Sequence, residues 1–280
     1  MRIVNSSDIT ELVEKLCIEA NCVITEDIKG CLGDCMKRES SPLGREILGT
    51  LVENAEIAAE EMSPICQDTG MTVVFVTMGQ DLKIDGGFIE DAINEGVRRG
   101  YERGYLRKSV VNDPLERINT KDNTPAVVHY EIVPGDVLHI TVAPKGFGSE
   151  NMSQLKMLKP SQGIQGVKDF ILKTVKEAGP NPCPPIIVGV GIGGTMEKSA
   201  ILSKKALLRQ VGTPSDKPHL AALEAELLEA VNSMGIGPAG LGGETTALGV
   251  HIISYPTHIA GLPVSVNIGC HATRHAEGSL

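Results

Sequence analysis

Apolar positions recur at helical spacing over residues 7–37 and again over 40–62, where Leu48, Leu51, Val52 and Ala55 share a face, so both stretches are expected to be helices. The run MTVVFVTMG at 71–79 reads as a strand, and helical spacing returns over 86–106. AVVHYEIV (126–133) and VLHITVAPK (137–145) alternate as strands and are separated by Pro134, Gly135 and Asp136, which predicts a hairpin. Further on, the pattern predicts helices at 151–158 and 162–178, a strand at 185–191, helices at 196–209 and 217–233, and strands at 246–254 and 261–269. Segments 108–124, 210–217 and the glycine-rich 234–243 are candidate mobile loops. Helices and hairpin-joined strands alternate without a βαβ rhythm, which argues for an α+β fold with largely antiparallel sheets over a doubly wound one. No clean boundary divides the pattern, so residues 1–280 are expected to form a single domain.

Composition narrows the function classes. The chain has 280 residues, 41% of them hydrophobic, and a formal net charge of −9. That charge, without a Lys/Arg tract or interleaved aromatics, argues against nucleic-acid binding. No apolar run reaches the roughly 18 residues of a membrane span, and the start MRIVNSSDITELVEKL lacks the apolar centre of a signal peptide, so a cytoplasmic protein without membrane contact is expected.

The cysteines then raise a chemical question. Seven of them, an odd number, disfavour a disulfide framework and favour reduced thiols or metal ligands. Cys17, Cys22, Cys31 and Cys35 lie in helical sequence at spacings unlike the paired C-x2-C of zinc modules, so packing is preferred over metal there. Cys66, Cys183 and Cys270 sit instead in turn-like contexts: SPICQDTG, GPNPCPPIIVGVG and SVNIGCHATRH. Thiols at the ends of rigid elements can converge on one ligand, but spacing does not distinguish that from three unrelated buried cysteines.

IIVGVGIGGTMEK satisfies G-x-G-x-x-G at Gly189, Gly191 and Gly194 between a strand and a helix, which opens a second reading as a nucleotide-binding module. Against it, no acidic residue closes a second strand about 20 residues on, where RQVGTPSDKPHL stands instead. Arg99, Arg103 and Arg107 would form one basic edge on a helix that Gly100 and Gly104 weaken. Lys145 and Ser149 lie in a glycine-rich turn, APKGFGSEN, whose backbone amides can face a carboxylate. His258, taken alone, reads as a structural histidine.

The segments SPICQDTG, KGFGSENMSQLKML, GVGIGGTMEKSAILSKKALLR and ISYPTHIAGLPVSVNIGCHATRH, in this order, resemble the class I iron–sulfur fumarases and the related tartrate dehydratases, specifically their N-terminal half or separate α subunit. The resemblance covers nearly all of the chain from about residue 40. It implies a [4Fe–4S] cluster held by Cys66, Cys183 and Cys270 at the centre of the fold, and the reversible hydration of fumarate to malate, or the dehydration of tartrate. It also implies that Asp68 assists proton transfer and that Gln67, Arg107, Gly148, Ser149 and His258 contact a small dicarboxylate, which reverses the structural reading of His258. Cys17, Cys22, Cys31 and Cys35 match no family ligand. Because the chain stops ten residues after Cys270, the resemblance implies a β subunit carrying further arginines, a lysine and the catalytic base, in an α2β2 assembly with an α–α contact.

Overall fold

The computed structural model describes residues 2–280. In chain order it contains β1 (Arg2–Asn5), α1 (Ser6–Cys22), α2 (Glu26–Arg38), α3 (Pro42–Glu61), β2 (Met71–Gly79), β3 (Leu82–Asp85), α4 (Ile89–Arg103), β4 (Val127–Val133), β5 (Leu138–Lys145), α5 (Phe147–Glu150) and β6 (Gln154–Leu158). There follow α6 (Gly163–Ala178), β7 (Ile186–Gly193), α7 (Met196–Ala206), α8 (Pro218–Asn232), β8 (Ala247–Tyr255), β9 (Leu262–Gly269) and β10 (Ala276–Ser279). The fold is α+β, as the pattern predicts. The chain divides into two compact units, the first comprising Met1–Thr25, Asn54–Phe147 and Arg274–Leu280, the second Glu26–Glu53 and Gly148–Thr273.

The first unit is built on a four-stranded sheet in the order β10-β5-β2-β4, with β1 and β3 forming a separate parallel pair. β2 occupies the middle, and its five-residue buried run Thr72–Val76 explains why this strand reads as continuously apolar. Against this sheet pack α1 and α4, whose Ile9, Val13, Leu16, Ile93, Val97 and Tyr101 enter one core with Val74, Ile140 and Val142. Gly96 and Gly100 set how closely the two helices approach: a β-carbon at 96 would lie 2.7 Å from the Thr10 carbonyl oxygen, and one at 100 would lie 2.7 Å from Cβ of Cys17. The glycines that weaken α4 as a helix are thus spent on packing.

The expected hairpin is overturned. β4 and β5 do not pair with each other; β4 runs parallel to one edge of β2 and β5 antiparallel to the other. The turn between them crosses the end of β2, where Gln80 N–H donates to the Val133 carbonyl and Asp81 N–H to the Gly135 carbonyl, both at 2.9 Å. Two further expectations are corrected. Residues 7–37 are two helices, because the branched Val23, Ile24 and Thr25 take the chain out of the helix and Val23 is already extended at φ −124°. Residues 151–158 are not helical but supply β6, since the free edge of β9 offers a backbone ladder that outweighs the propensity of Leu155, Lys156 and Met157.

The second unit has the sheet order β6-β9-β7-β8, in which β7 is parallel to β8 and antiparallel to β9. Val188, Val190, Val250, Ile252, Val264, Val266 and Ile268 of the sheet share a core with Phe170, Ile171 and Val175 of α6 and Leu220, Leu223 and Leu227 of α8. α7 lies against β7 at the two fingerprint glycines. A β-carbon at Gly189 would sit 2.2 Å from the Ser203 carbonyl oxygen, and one at Gly191 would sit 2.0 Å from that of Ser199. These glycines serve helix-on-strand contact, which removes the main support for the dinucleotide reading. Among the described residues no helix is long and apolar enough to cross a membrane.

Candidate active site

In the first unit the loop SPICQDTG is fixed at alternate points. Ile65 is 8% exposed; its N–H donates to the Asn21 carbonyl at 3.0 Å and its own carbonyl accepts from Asn54 Nδ2 at 3.0 Å. Asp68 accepts from two amides, Gly70 N–H on Oδ1 at 3.0 Å and Phe147 N–H on Oδ2 at 2.9 Å. The glycine-rich turn after β5 therefore does face a carboxylate, and within this unit it is the chain's own. Thr69 is buried and donates through Oγ1 to the Arg107 carbonyl at 3.0 Å. Gly70 has φ +76°, and a β-carbon there would lie 2.7 Å from the backbone carbon of Lys145, so the strand start tolerates only glycine.

Two buried residues that sequence reasoning did not single out complete this frame. The Tyr101 hydroxyl donates towards the carbonyls of Thr69 at 2.7 Å and Gly70 at 3.1 Å. Asn123 accepts on Oδ1 from the amides of Ser109 and Val110, and donates to the Gly70 carbonyl at 3.2 Å. The segment 108–124 is thereby tied to the site loop. What remains unpinned in SPICQDTG is the pair of side chains at its tip: Cys66 is part-exposed and donates to Gln67 Oε1 at 3.4 Å. Tyr101→Phe leaves the Thr69 carbonyl without its partner and is expected to cost about 1–3 kcal/mol, measured as a lower urea midpoint at unchanged slope.

The expected basic edge is not formed. α4 ends at Arg103 and Arg107 stands beyond it, exposed, with its carbonyl on the Asp68–Thr69 side of the frame. Arg99 pairs with Glu95 at 2.7 Å and Arg103 with Glu14 at 2.5 Å, leaving Arg107 as the member of the row placed against the loop.

In the second unit Cys183 and Cys270 stand at the same end of the sheet. Cys183 precedes β7, Cys270 follows β9, and the strands pair there through Ile187 and Gly269. Cys183 is exposed and adopts φ +55°, unusual for a residue with a β-carbon. Its carbonyl accepts from the His271 ring at 3.1 Å, which puts the imidazole proton on Nδ1 and joins the two cysteine turns. The Cys270 carbonyl accepts from Thr273 Oγ1 at 2.7 Å. Gly148 lies near the same turn, its β-carbon position 3.8 Å from the Asn181 carbonyl, and the buried Ser149 follows it. Glu150 anchors the segment through Lys204 at 2.6 Å and Asn267 at 3.0 Å. His258 is placed elsewhere. It is exposed between β8 and β9, beside the Gly193–Tyr255 end of β7, and accepts from the Ala260 amide at 3.2 Å. The length of β7, about 20 Å, separates it from the two thiols.

The donor set can be judged by its chemistry. None of the seven cysteines is in a disulfide. Burial, aided by the nearby Glu14, pushes the Cys17 thiol well above its usual range, so it stays a protonated packing group on α1. Cys31 and Cys35 face each other one turn apart on α2. The hydrogen bond between their thiols and the Arg38 guanidinium lower the Cys35 thiol below its usual range against its burial, while Cys31 is driven upward. No three His, Cys, Asp or Glu side chains converge on a metal-sized point among the described residues. Cys66, Cys183 and Cys270 differ from the buried thiols in being reachable and in standing at element ends held by named hydrogen bonds. Accessible thiols outside any disulfide are the ligand type an iron–sulfur cluster takes, and Cys66 in the first unit and Cys183 and Cys270 in the second each have that chemistry. Gln67, Asp68 and Arg107 gather with Cys66 in the first unit; Gly148 and Ser149 gather with Cys183 and Cys270 in the second.

Comparison with known proteins identifies the family of the chain. The family model described as fumarate hydratase (Fumerase) matches residues 10–279. A Methanocaldococcus jannaschii protein named "Putative L(+)-tartrate dehydratase subunit alpha" is 44% identical over 274 residues, covering 96% of each chain. The L(+)-tartrate dehydratase subunit alpha of Escherichia coli UTI89 is 34% identical over 276 residues, covering 97% of this chain and 90% of the relative, and that of strain K12 is 33% identical over the same span. The chain belongs to the fumarate hydratase (Fumerase) family.

Proposed function

We propose that this chain is the α subunit of a two-component hydro-lyase that adds water to, or removes it from, a four-carbon dicarboxylate, with a [4Fe–4S] cluster on Cys66, Cys183 and Cys270. The observation that carries the reading is the near end-to-end likeness to proteins named as α subunits of a dehydratase. When bound, a cluster with three protein thiolates leaves one iron with an open position and supplies a Lewis acid.

The chain's own residues then have separable tasks. Asp68, an acceptor held by two amides, is fixed in orientation to receive or relay the proton leaving the carbon next to the departing hydroxyl. Gln67, beside Cys66, orients the substrate. Arg107 is exposed and free of α4, so its guanidinium can pair with a carboxylate. The short turn at Gly148 and Ser149 presents backbone amides to the same ligand. His258 lies too far from the cysteine pair along β7 to act beside it in one chain. Seven cysteines outside any disulfide suit a reducing cytoplasm.

Fumarate and malate follow from the family resemblance; L(+)-tartrate is favoured as a second reading by the printed names of the relatives. The test is anaerobic turnover of fumarate, malate and L(+)-tartrate by the α chain alone and by α mixed with its β partner. The account expects turnover of one of these pairs in the mixture only. Equal rates from α alone would refute the two-component reading.

A further inference from the structure

The face of the second sheet under α7 is polar where the opposite face is not. Along β9, Val264, Val266 and Ile268 enter the apolar core with α6 and α8, so by strand alternation Ser265 and Asn267 lie on the other side. There the Ser203 and Ser265 hydroxyls meet at 3.0 Å. Beside them Lys204 of α7 donates to Glu150 Oε1 at 2.6 Å, and Asn267 Nδ2 donates to Oε2 at 3.0 Å. Asn267 is 6% exposed and its Oδ1 has no hydrogen-bond partner among the described residues, so the bond this side chain contributes is the one to Glu150. The Lys204 and Glu150 side chains are 18% and 27% exposed. A pair sunk that far is a weak source of stability, because desolvation opposes the attraction, and its use is sought in geometry.

The geometry it fixes is that of a turn. α5 is a single helical turn, too short to hold its own shape. Ser153 N–H donates to the Glu150 carbonyl at 3.0 Å, and Ser153 Oγ accepts from Ile268 N–H at 3.2 Å. Residues 150–153 are thus fastened to Asn267 and Ile268, shortly before Cys270. Gly148, just ahead, is exposed, and beyond its chain neighbours only the Asn181 carbonyl comes within 4 Å of its β-carbon position, at 3.8 Å. The turn is therefore open to a ligand and has a carboxylate close behind it. An anion meeting Gly148 and Ser149 is repelled by that carboxylate unless the charge is neutralised, and Lys204 supplies the counter-charge.

We propose that Lys204 and Asn267 are positioning residues acting through Glu150: they fasten the Gly148–Ser149 turn beside the strand end that leads to Cys270, and Lys204 shields an anion at that turn from the Glu150 carboxylate. This rests on the hydro-lyase reading, in which the turn meets a dicarboxylate. Neither residue touches substrate, so their effect falls on binding more than on the chemical step.

The test uses the α–β holoenzyme with its iron content checked, comparing wild type with Lys204→Met, the double variant Lys204→Met/Glu150→Gln, and Asn267→Leu. Lys204→Met is expected to raise KM at least about tenfold while kcat stays within about threefold. Inhibition constants add a readout that a merely structural role would not move. Wild type should prefer succinate, a dianion, to butyrate, a monoanion, and Lys204→Met should lose at least about tenfold of that preference. The double variant, which removes the stranded carboxylate but keeps an acceptor for Asn267, should regain most of it. Wild-type KM and an intact succinate preference in Lys204→Met would overturn the proposal, as would a double variant no better than the single one. If Lys204→Met fails to fold, Asn267→Leu decides: a KM raised about fivefold is expected, and a wild-type KM overturns the proposal. Were wild type inert on every hydroxy-dicarboxylate, the hydro-lyase reading would fall. Direct succinate binding by the same proteins would still decide the role of Lys204, which equal affinity in wild type and Lys204→Met, or no binding to either, would overturn.

Discussion

Cys183→Ser is expected to strip the protein of most of its iron and to reduce turnover by more than the roughly 10–100-fold that accompanies loss of an outer-shell partner of a metal site. The serine hydroxyl is a hard, poorly ionised donor where a thiolate is needed. Cys183 is exposed in a turn at φ +55° whose carbonyl is held by His271, so the substitution removes the ligand without disturbing a core. Cys66→Ser and Cys270→Ser are expected to behave alike. Cys31→Ala serves as the contrast, with iron content expected at the wild-type level. Iron per chain and turnover under anaerobic conditions are the two readings, and a Cys183→Ser protein with full iron and full turnover would remove this residue from the site.

Gly191→Ala is expected to unfold the second unit. Its β-carbon would lie 2.0 Å from the Ser199 carbonyl oxygen and 2.7 Å from the Ser203 amide nitrogen, both backbone atoms of α7. Overpacking a core ordinarily costs 1–3 kcal/mol; here a helix must move as a body, and the loss is expected to exceed about 3 kcal/mol. Gly194→Ala is the informative comparison, because there the added carbon meets Lys198 Cγ at 2.7 Å and Cβ at 2.8 Å, one side-chain stem that can move without the helix backbone, although φ +70° adds strain. Urea midpoints should therefore fall much further for residue 191 than for 194. If these glycines served a nucleotide instead, Gly191→Ala would keep the wild-type midpoint and lose a dinucleotide-induced rise in stability.

The same glycines show why some features were legible in the sequence and others were not. Periodicity located α3, α6, α8, β2, β7 and β9 because each element's burial repeats along its own chain. The partnership of strands is not encoded there: nothing in AVVHYEIV or VLHITVAPK says that β2 will lie between them. β6 was read as helix because its residues favour one, and only the edge of β9 decides otherwise. The fingerprint at 189–194 has the right letters, but close packing and phosphate binding both demand a missing side chain.

Of the site, Cys66, Asp68, Cys183 and Cys270 stood out through loop context and motif. Asn123 and His271 did not, since their roles arise from bonds made only after folding. Asn123 in a polar loop gives no local sign that it will be fully buried against Gly70. His271 lies inside a recognisable motif, yet the motif alone does not say that its ring joins the two cysteine turns.

The measurement that bears most directly on the account is iron and sulfide analysis with EPR on the anaerobically prepared α–β complex. The account predicts about four irons per α chain, a cluster signal that disappears in Cys183→Ser, and turnover that tracks iron content. An iron-free complex that turns over substrate at full rate, or one that refuses iron and sulfide under reducing conditions, would contradict it.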